Sequence, residues 1–271
     1  MSRNGNTAGT VELAHATHGE GFPLVLVHGF TGSSLDWADV VEPLAKARRV
    51  ITLDHRGHGE SPNTGDAATY TFDQLVADLS ALLDRLELDR FDLLGHSMGG
   101  IVAMRYALQH PERVRSLVLM DTAAGAMARA TDFMRSGIEL VRAQGTGALF
   151  EVIQGFLGTG ERADVLRERQ RTKLEQMDPV AFTELGEELL TYPSVLDRLA
   201  TLAIPTTVVV GENDTGLRPA ADALAATIPG AVLVVIPDAA HSPQDENRDA
   251  WLAAVEGHLE RSEASAKRAA S

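Results

Sequence analysis

Cysteine is absent from the 271 residues of this chain. Without a thiol the protein forms no disulfide, has no thiolate nucleophile and offers no sulfur ligand to a metal ion. Basic residues are also scarce, because 24 Lys and Arg stand against 38 Asp and Glu and give a formal net charge of −14. This excess of negative charge argues against nucleic acid and anionic membrane surfaces as partners.

Long apolar runs are lacking as well. No stretch of the sequence approaches the roughly 20 apolar residues that span a bilayer, and residues 1–9 lack the apolar region of a secretory signal. The sequence therefore predicts a cytoplasmic protein with no membrane partner. Its 44% hydrophobic and 23% charged residues are ordinary for a globular protein. The length suffices for one α/β domain or two small ones.

The most informative stretch is residues 91–100, an apolar run that leads into Gly-His-Ser-Met-Gly. This matches G-x-S-x-G, the pattern of a nucleophile elbow, in which a serine on a sharp strand-to-helix turn is pushed out above a sheet. An apolar helical pattern over 101–108 and a β-rich run over 114–120 follow at the spacing of a βαβ unit. Ser97 is therefore the candidate nucleophile. The alternative is a glycine-rich turn whose serine has no chemical role.

Strand and helix patterns alternate along most of the chain, which predicts an α/β fold with a doubly wound, mostly parallel sheet. From Thr122 to about Leu202 the alternation stops and helical patterns replace it. We therefore expect a core of residues 1–121 and 203–260, a helical insertion over 122–202, and a disordered tail over 261–271. The predicted strands are 10–17, 24–27, 50–53, 91–94, 114–120, 206–210 and 232–236, and the predicted helices of the core include 37–45, 71–86, 219–227 and 251–259.

Two strand ends downstream of Ser97 carry the partners that a nucleophilic serine requires. A serine hydroxyl needs a base to take its proton, and the base needs a carboxylate to orient it. Asp214 follows the strand 206–210, and His241 follows the strand 232–236. The ends of parallel strands meet at the edge where open α/β sheets bind ligands. Asp121 also ends a strand and stays open as the alternative acid.

Other polar residues near these positions have simpler explanations. Asp238 lies only three residues before His241, too close along the chain for the two side chains to face each other easily, so a surface position is expected. His55 and His58 beside Asp54 resemble a loose metal pair, but nothing else in the sequence completes a site. No metal is therefore expected.

The chain resembles the α/β-hydrolases, in particular the capped esterases and small-molecule hydrolases, over about residues 10–260. Besides the elbow, His-Gly-Phe at 28–30 matches the oxyanion loop of that family, and residues 54–61 match its Asp-x-Arg-Gly-x-Gly-x-Ser turn. The candidates also follow the family's chain order of serine, aspartate and histidine. One departure is that the family core usually opens with two antiparallel strands, whereas one is visible here.

The resemblance implies a role for each matched residue. Ser97 would be the nucleophile, His241 the general base and then the general acid, and Asp214 the carboxylate that orients the imidazole. The backbone N–H groups of Phe30 and Met98 would form the oxyanion hole. No cofactor is implied, and the partner would be a small-molecule ester.

The helical insertion stands where this family carries its cap. Its apolar stripe either packs against the core or lines an acyl pocket, and both readings stay open. A cap arginine, Arg135 or Arg142, would either bind a substrate carboxylate or be a surface charge. The tentative pocket residues are Met127, Met134, Ile138 and Phe156.

The function expected from these features is hydrolysis of carboxylic esters of small to medium apolar acids through an acyl-enzyme. Lactonases, C–C bond hydrolases and cofactor-free perhydrolases share the same architecture and are the alternatives. A hypothesis from a different class is a ligand receptor that keeps the triad and signals through its cap.

Overall fold

A computed structural model describes residues 9–126, 131–156 and 160–269 of the chain. Within these residues, seven strands form one sheet in the order β1-β3-β2-β4-β5-β6-β7. Strand β1 pairs antiparallel with β3, and every other neighbouring pair is parallel, as the alternating pattern predicted. The strands are β1 His15–His18, β2 Pro23–Val27, β3 Arg49–Leu53, β4 Phe91–His96, β5 Val114–Met120, β6 Thr206–Gly211 and β7 Val232–Ile236.

Helices cover both faces of the sheet. Alternate residues of each strand point to opposite faces, and because both sets are apolar, both faces must be buried. Leu93 of β4 belongs to a core shared with helices α2, α3 and α9, whereas Leu94 belongs to a second core with α1 and α11. No helix among the described residues is both long and apolar enough to cross a membrane. The helices are α1 Val41–Ala45, α2 Phe72–Arg85, α3 Met98–Gln109, α4 Thr131–Gln144, α5 Thr146–Ile153, α6 Glu161–Gln176, α7 Pro179–Thr191, α8 Leu196–Leu199, α9 Arg218–Thr227, α10 Pro243–Glu246 and α11 Arg248–Ala269.

The first strand is shorter than the predicted run of 10–17. Only His15–His18 are in register with β3. Side chains hold the backbone N–H groups of two preceding residues, since the Val11 N–H donates to Asp78 Oδ1 at 3.0 Å and the Ala14 N–H donates to Ser61 Oγ at 2.8 Å. As the sequence indicated, one antiparallel strand precedes β2 in the described part of the chain.

Helices α4 to α8 lie between β5 and β6, in the region where the alternation of patterns stops. The chain leaves the core and returns to it at one place. There the Val195 N–H donates to the Ala124 carbonyl at 2.8 Å, and the Ala126 N–H donates to the Tyr192 carbonyl at 3.3 Å. The entering and leaving segments of the insertion are therefore hydrogen-bonded neighbours.

The prediction of a disordered tail over 261–271 is wrong for residues 261–269, because these residues continue helix α11. Ser262 is buried, and its Oγ donates to the His258 carbonyl at 2.9 Å. Glu263 forms an ion pair with Arg48 of the core. The composition of this segment is small and polar, as in a tail, but contacts with the core sustain a helix that has already begun.

Candidate active site

Ser97 stands between β4 and α3 in a strained backbone conformation, with φ 51° and ψ −117°. The two flanking glycines make this turn sterically possible. A Cβ on Gly95 would lie 2.3 Å from the Gly99 carbonyl oxygen, and a Cβ on Gly99 would lie 2.3 Å from the Val27 carbonyl oxygen. The strand, turn and helix that a nucleophile elbow requires are thus present at the predicted residues.

The structure brings together Ser97, His241 and Asp214, the three residues predicted from the sequence. His241 Nδ1 lies 2.7 Å from Asp214 Oδ2, and His241 Nε2 lies 3.1 Å from Ser97 Oγ. With the proton on Nδ1, the ring donates to the carboxylate and its Nε2 accepts from the serine hydroxyl. Asp214 is itself held by the Leu217 N–H, which donates to its Oδ1 at 3.2 Å.

The negative charge of Asp214 determines the direction in which the pKa of His241 is shifted. Loss of hydration acts to lower the pKa of His241, but the hydrogen bond and negative charge of Asp214 outweigh it and raise that pKa above its ordinary value of 6.5. Loss of hydration likewise acts to raise the pKa of Asp214, and the bond to His241 brings it below its ordinary value. The pair is therefore suited to hold a proton that arrives on the imidazole.

Asp121, the alternative acid, is buried beneath this pair and does not bond to the histidine. Its Oδ1 accepts from the Gly211 N–H at 3.0 Å. Burial raises the pKa of Asp121 to about 8, with a further contribution from nearby Asp214. Of the two acids that the sequence left open, the structure thus places Asp214 on His241.

His96 makes a contact that sequence reasoning did not predict. Its Nε2–H donates to the His241 carbonyl at 2.7 Å and so holds the backbone of the histidine loop. Burial, and then the neighbouring His241, lower the pKa of His96 to about 3, so the ring is neutral. Its place one residue before the nucleophile is the only sequence signal for this contact.

The loop over 28–30 lies directly against the elbow, where an oxyanion hole is expected. A Cβ on Gly29 would lie 3.0 Å from Ser97 Cβ, and Phe30 borders the cavity above the serine. His28 fixes the loop, since its Nδ1–H donates to the Gly29 carbonyl at 2.8 Å. Met98 is the first residue of α3, and the first N–H groups of a helix have no acceptor within it. Phe30 and Met98 thus both border the cavity at Ser97, and their role as an oxyanion hole stays a prediction.

The group of Asp54, His55 and His58 has a structural explanation. The two oxygens of Asp54 accept from the Ser34 N–H at 2.6 Å and from the Glu60 N–H at 2.9 Å. Burial lowers the pKa of both histidines, which are therefore neutral. These contacts tie the glycine-rich turn to the loop that precedes α1.

An apolar cavity of about 260 Å³ opens above Ser97. Of the tentative pocket residues, Met134 lines it, whereas Met127 and the side chain of Phe156 lie outside the described residues. Ile138 does not line it, because this side chain is buried against Gly186 of α7. The sequence did not single out the remaining apolar wall, which comprises Ile101, Ala123, Leu189, Leu190, Tyr192 and Leu217.

Neither of the two arginines predicted in the insertion borders the cavity, and both are surface charges. Arg135 is exposed, and Arg142 pairs with Glu187 of α7 at 3.3 Å on the outside of the insertion. Asp238 is likewise exposed, as expected.

Known proteins resemble this chain in sequence over most of its length. Residues 23–248 match the family described as alpha/beta hydrolase fold. A pimeloyl-[acyl-carrier protein] methyl ester esterase from Aeromonas hydrophila is 32% identical over 238 residues, which are 83% of this chain and 90% of that protein.

Solved structures show the same similarity. A thermophilic esterase from Thermogutta terrifontis superposes with a TM-score of 0.81 and 33% identity, covering 93% of this chain and 94% of that one. An enol-lactonase from Burkholderia xenovorans superposes with a TM-score of 0.81 and 26% identity, covering 91% and 96%. With its sheet order, its nucleophile elbow and the family match over residues 23–248, the chain belongs to the alpha/beta-hydrolase family.

Proposed function

We propose that this protein is a serine hydrolase that cleaves carboxylic esters of small to medium apolar acids through an acyl-enzyme. The observation that supports the proposal is the hydrogen-bonded series of Asp214, His241 and Ser97 beneath an apolar cavity. The alpha/beta-hydrolases similar to it in sequence and structure include esterases.

The proposed reaction begins when Ser97 Oγ attacks the ester carbonyl and His241 Nε2 takes the hydroxyl proton. The tetrahedral oxyanion accepts hydrogen bonds from the backbone N–H groups of Phe30 and Met98. The bond to the alcohol oxygen then breaks, and His241 returns the proton to that oxygen. A water molecule, deprotonated by His241, attacks the acyl-enzyme carbonyl. The bond from the acyl carbon to Ser97 Oγ then breaks, His241 returns the proton to Oγ, and the acid and free Ser97 are released.

The size and lining of the cavity support the acyl class. At about 260 Å³ it lies just below the range of small-molecule pockets, which run from about 300 to 1,000 Å³, and so suits a small acyl group. Met134 from α4 and Leu189 and Leu190 from α7 form part of its wall, so the helical insertion acts as the cap in this proposal. A negatively charged acyl group would meet neither predicted cation in this cavity, since neither Arg135 nor Arg142 reaches it.

A lactone is the second candidate substrate. The observation that favours it is the similarity to the enol-lactonase over 91% of this chain. Lactone hydrolysis needs the same residues and differs only in that the alcohol produced stays attached to the acid.

The test is a substrate panel of p-nitrophenyl acetate, butyrate, hexanoate and octanoate together with γ- and δ-lactones, measured with wild type and Ser97→Ala. An esterase gives a maximum of kcat/KM within the p-nitrophenyl series, and Ser97→Ala abolishes it. A lactonase gives higher kcat/KM on lactones than on any open ester. Very slow turnover of the whole panel, with ligand-dependent change in the insertion, would instead indicate a receptor.

A further inference from the structure

A second cavity meets Ser97 and has a different character from the first. Its volume is about 210 Å³, and it shares Phe30, Ser97 and His241 with the apolar cavity. Helix α6 of the insertion and the segment around α10 supply most of the rest of its wall. Besides Ser97, His96 and His241, the polar side chains that line it are Thr31, Asp36, Arg169, Gln170, Lys173, Ser242, Asp245 and Glu246.

The two cations of this wall are already paired with anions. Lys173 Nζ lies 2.6 Å from Asp36 Oδ1, and Arg169 donates twice to Asp39, at 2.7 and 2.9 Å. Burial, and then the negative charge of Asp36, raise the pKa of Asp245 to about 6. The cavity therefore offers no unpaired positive charge to an anionic group, and its acidic side chains repel one.

Gln170 is available for hydrogen bonding in this cavity. No other described residue engages its amide, which presents both a donor and an acceptor. Such a wall suits hydroxyl groups, which also donate and accept. It suits an alkyl chain less well, because an alkyl chain that covers Gln170 leaves the amide of that residue without a hydrogen-bond partner.

We propose that this cavity binds the leaving alcohol, and that the alcohol it accepts is uncharged and hydroxylated, as in an ester of glycerol or of a sugar. The proposal rests on the esterase activity proposed above. It leaves the acyl group in the apolar cavity and places the alcohol oxygen beside His241, which borders both cavities and returns the proton.

The experiment compares kcat/KM for three butyrates that differ only in the alcohol: 1-butanol, glycerol and the anionic 3-hydroxypropionate. We expect the glycerol ester to exceed the butyl ester by about tenfold and the anionic ester to be the poorest. Gln170→Leu should lower the glycerol-to-butyl ratio severalfold. Gln144→Leu, the same change at an exposed position of the insertion outside the cavity, should leave it unaltered.

Hydrolysis of p-nitrophenyl butyrate reports on the esterase activity separately. If the protein does not hydrolyse this ester, the proposed function itself is overturned and not merely the alcohol subsite. Equal kcat/KM for the glycerol and butyl esters would overturn the subsite, as would a preference for the anionic ester. An unchanged ratio in Gln170→Leu would overturn the assignment to this cavity.

An independent observation concerns the buried acid below the candidate triad. Asp121 directly follows β5, with φ 43°, and is 1% exposed. Its Oδ1 accepts from the Gly211 N–H, but its Oδ2 has no donor among the described residues. Oxygen or nitrogen atoms of Asp121, Asp214 and His241 all lie within 4.8 Å of one another.

Two carboxylates this close cannot both carry a charge without a large cost. Asp214 bonds to the imidazole and lies partly exposed, whereas Asp121 is enclosed, so the charge stays on Asp214 and the proton on Asp121. Burial raises the pKa of Asp121, and the nearby negative charge of Asp214 acts in the same direction. When it is ionised, Asp121 Oδ2 is an acceptor to which no described residue donates. When it carries the proton, the same oxygen can donate a hydrogen bond to Asp214.

We infer that Asp121 is a positioning residue, which stays protonated at neutral pH and donates a hydrogen bond that keeps Asp214 aligned with His241. Ionisation of Asp121 in alkaline solution would place a second negative charge beside Asp214. That charge would misalign the carboxylate and make His241 more basic, so activity should fall on the alkaline side.

Asparagine is the matched substitution, because its amide supplies the same donor and acceptor without titrating and tolerates positive φ. Glycine adopts the same φ without strain and supplies neither. We expect Asp121→Asn to keep kcat/KM within about threefold at pH 7 and to lose the alkaline decline, and Asp121→Gly to lose about tenfold or more. The profiles are measured from pH 5 to 10 per active site, counted by fluorophosphonate labelling, with Ser97→Ala as the blank.

Two results would overturn this role. Asp121→Asn as inactive as Asp214→Asn would mean that the charge of Asp121 is itself required. An alkaline decline that persists in Asp121→Asn would mean that another group titrates. Because asparagine preserves the hydrogen bonds of the fold, the comparison stands even where the glycine variant does not fold.

Discussion

His241 is the residue on which the proposed chemistry depends, because one ring contacts both the nucleophile and the acid. Its side chain is 48% exposed, whereas Asp214 is 12% exposed. Substrate and water can therefore reach the imidazole, while the carboxylate that orients it stays shielded. His96 adds a third constraint by bonding to the His241 carbonyl.

Replacing Ser97 removes the attacking atom and leaves the oxyanion donors in place. We expect Ser97→Ala to lower kcat on p-nitrophenyl butyrate by several orders of magnitude, with some catalysis over water retained. A fluorophosphonate should label wild type once per chain, at Ser97, by mass spectrometry. Label at another serine, or activity above a few per cent in Ser97→Ala, would contradict the assignment.

The acid limb of the pH profile should report the histidine. Because Asp214 raises the pKa of His241, the imidazole stays protonated, and unable to act as a base, to a higher pH than an ordinary histidine. We expect kcat/KM to rise with pH through a midpoint above 6.5. Asp214→Asn should reduce kcat by about 10⁴, since it presents the wrong tautomer. A midpoint well below that of free histidine in wild type would exclude this coupling.

At the scale of the elements, what the sequence predicts depends on how local the cause is. The elbow and the strand ends that carry Asp214 and His241 can be predicted from the sequence, because short motifs and strand periodicity specify them. Ile138 shows the limit, since it shares an apolar stripe with Met134 yet packs against Gly186 instead of facing the cavity. Which part of a stripe faces substrate depends on how α4 meets α7, and the proton on Asp121 depends on enclosure by three strand ends. Neither is encoded in a local pattern.

Met134 gives a test of the insertion as a wall of the acyl pocket. We expect Met134→Trp to reduce kcat/KM on octanoate relative to acetate by about tenfold or more, because added side-chain volume displaces methylene contacts worth about 1–3 kcal/mol each. Phe133→Trp is the control, since Phe133 is the preceding residue of α4 and is 66% exposed. Equal chain-length ratios in the two variants would show that Met134 only packs.

The C-terminal part of α11 should contribute stability without affecting turnover. Glu263→Gln removes the negative partner of Arg48, a pair at the edge of the core, and should lower the free energy of unfolding by about 0.5–1 kcal/mol. Glu260→Gln, at an exposed position of the same helix, should have no effect in the same urea titration. If both variants unfold like wild type, the ion pair contributes nothing.

For the whole molecule, the main ionic feature joins the insertion to the core. Arg162 and Arg169 of α6 both reach Asp39, and Arg162 also reaches Asp245 at 2.9 Å. Hydrogen bonds from Arg169 hold the pKa of Asp39 far below its usual range, so that acid stabilises the fold at neutral pH. Asp245 behaves oppositely, because its raised pKa means that its charged form is disfavoured in the folded protein.

The sign of the Asp245 effect gives a stability prediction. A raised folded-state pKa contributes stability that is complete below about pH 4 and is lost as the pH rises through about 6. Asp245→Asn should therefore be more stable than wild type at pH 7, by about 1–3 kcal/mol, and the difference should vanish near pH 4. Asp249→Asn, at a position 85% exposed, is the control. Destabilisation by Asp245→Asn at pH 7 would show that the bond to Arg162 outweighs burial.

Because the segments at Ala124 and Val195 are hydrogen-bonded to each other, the insertion between them can be exchanged as one unit. A segment whose ends are hydrogen-bonded neighbours can change length or sequence without pulling any strand out of register, as long as those two ends still meet. The insertion, which is proposed to form part of the acyl pocket, and the sheet that holds Ser97, Asp214 and His241 are then free to diverge separately. Exchanging residues 125–194 between members of the family should transfer specificity while leaving the proton-transfer residues where they are.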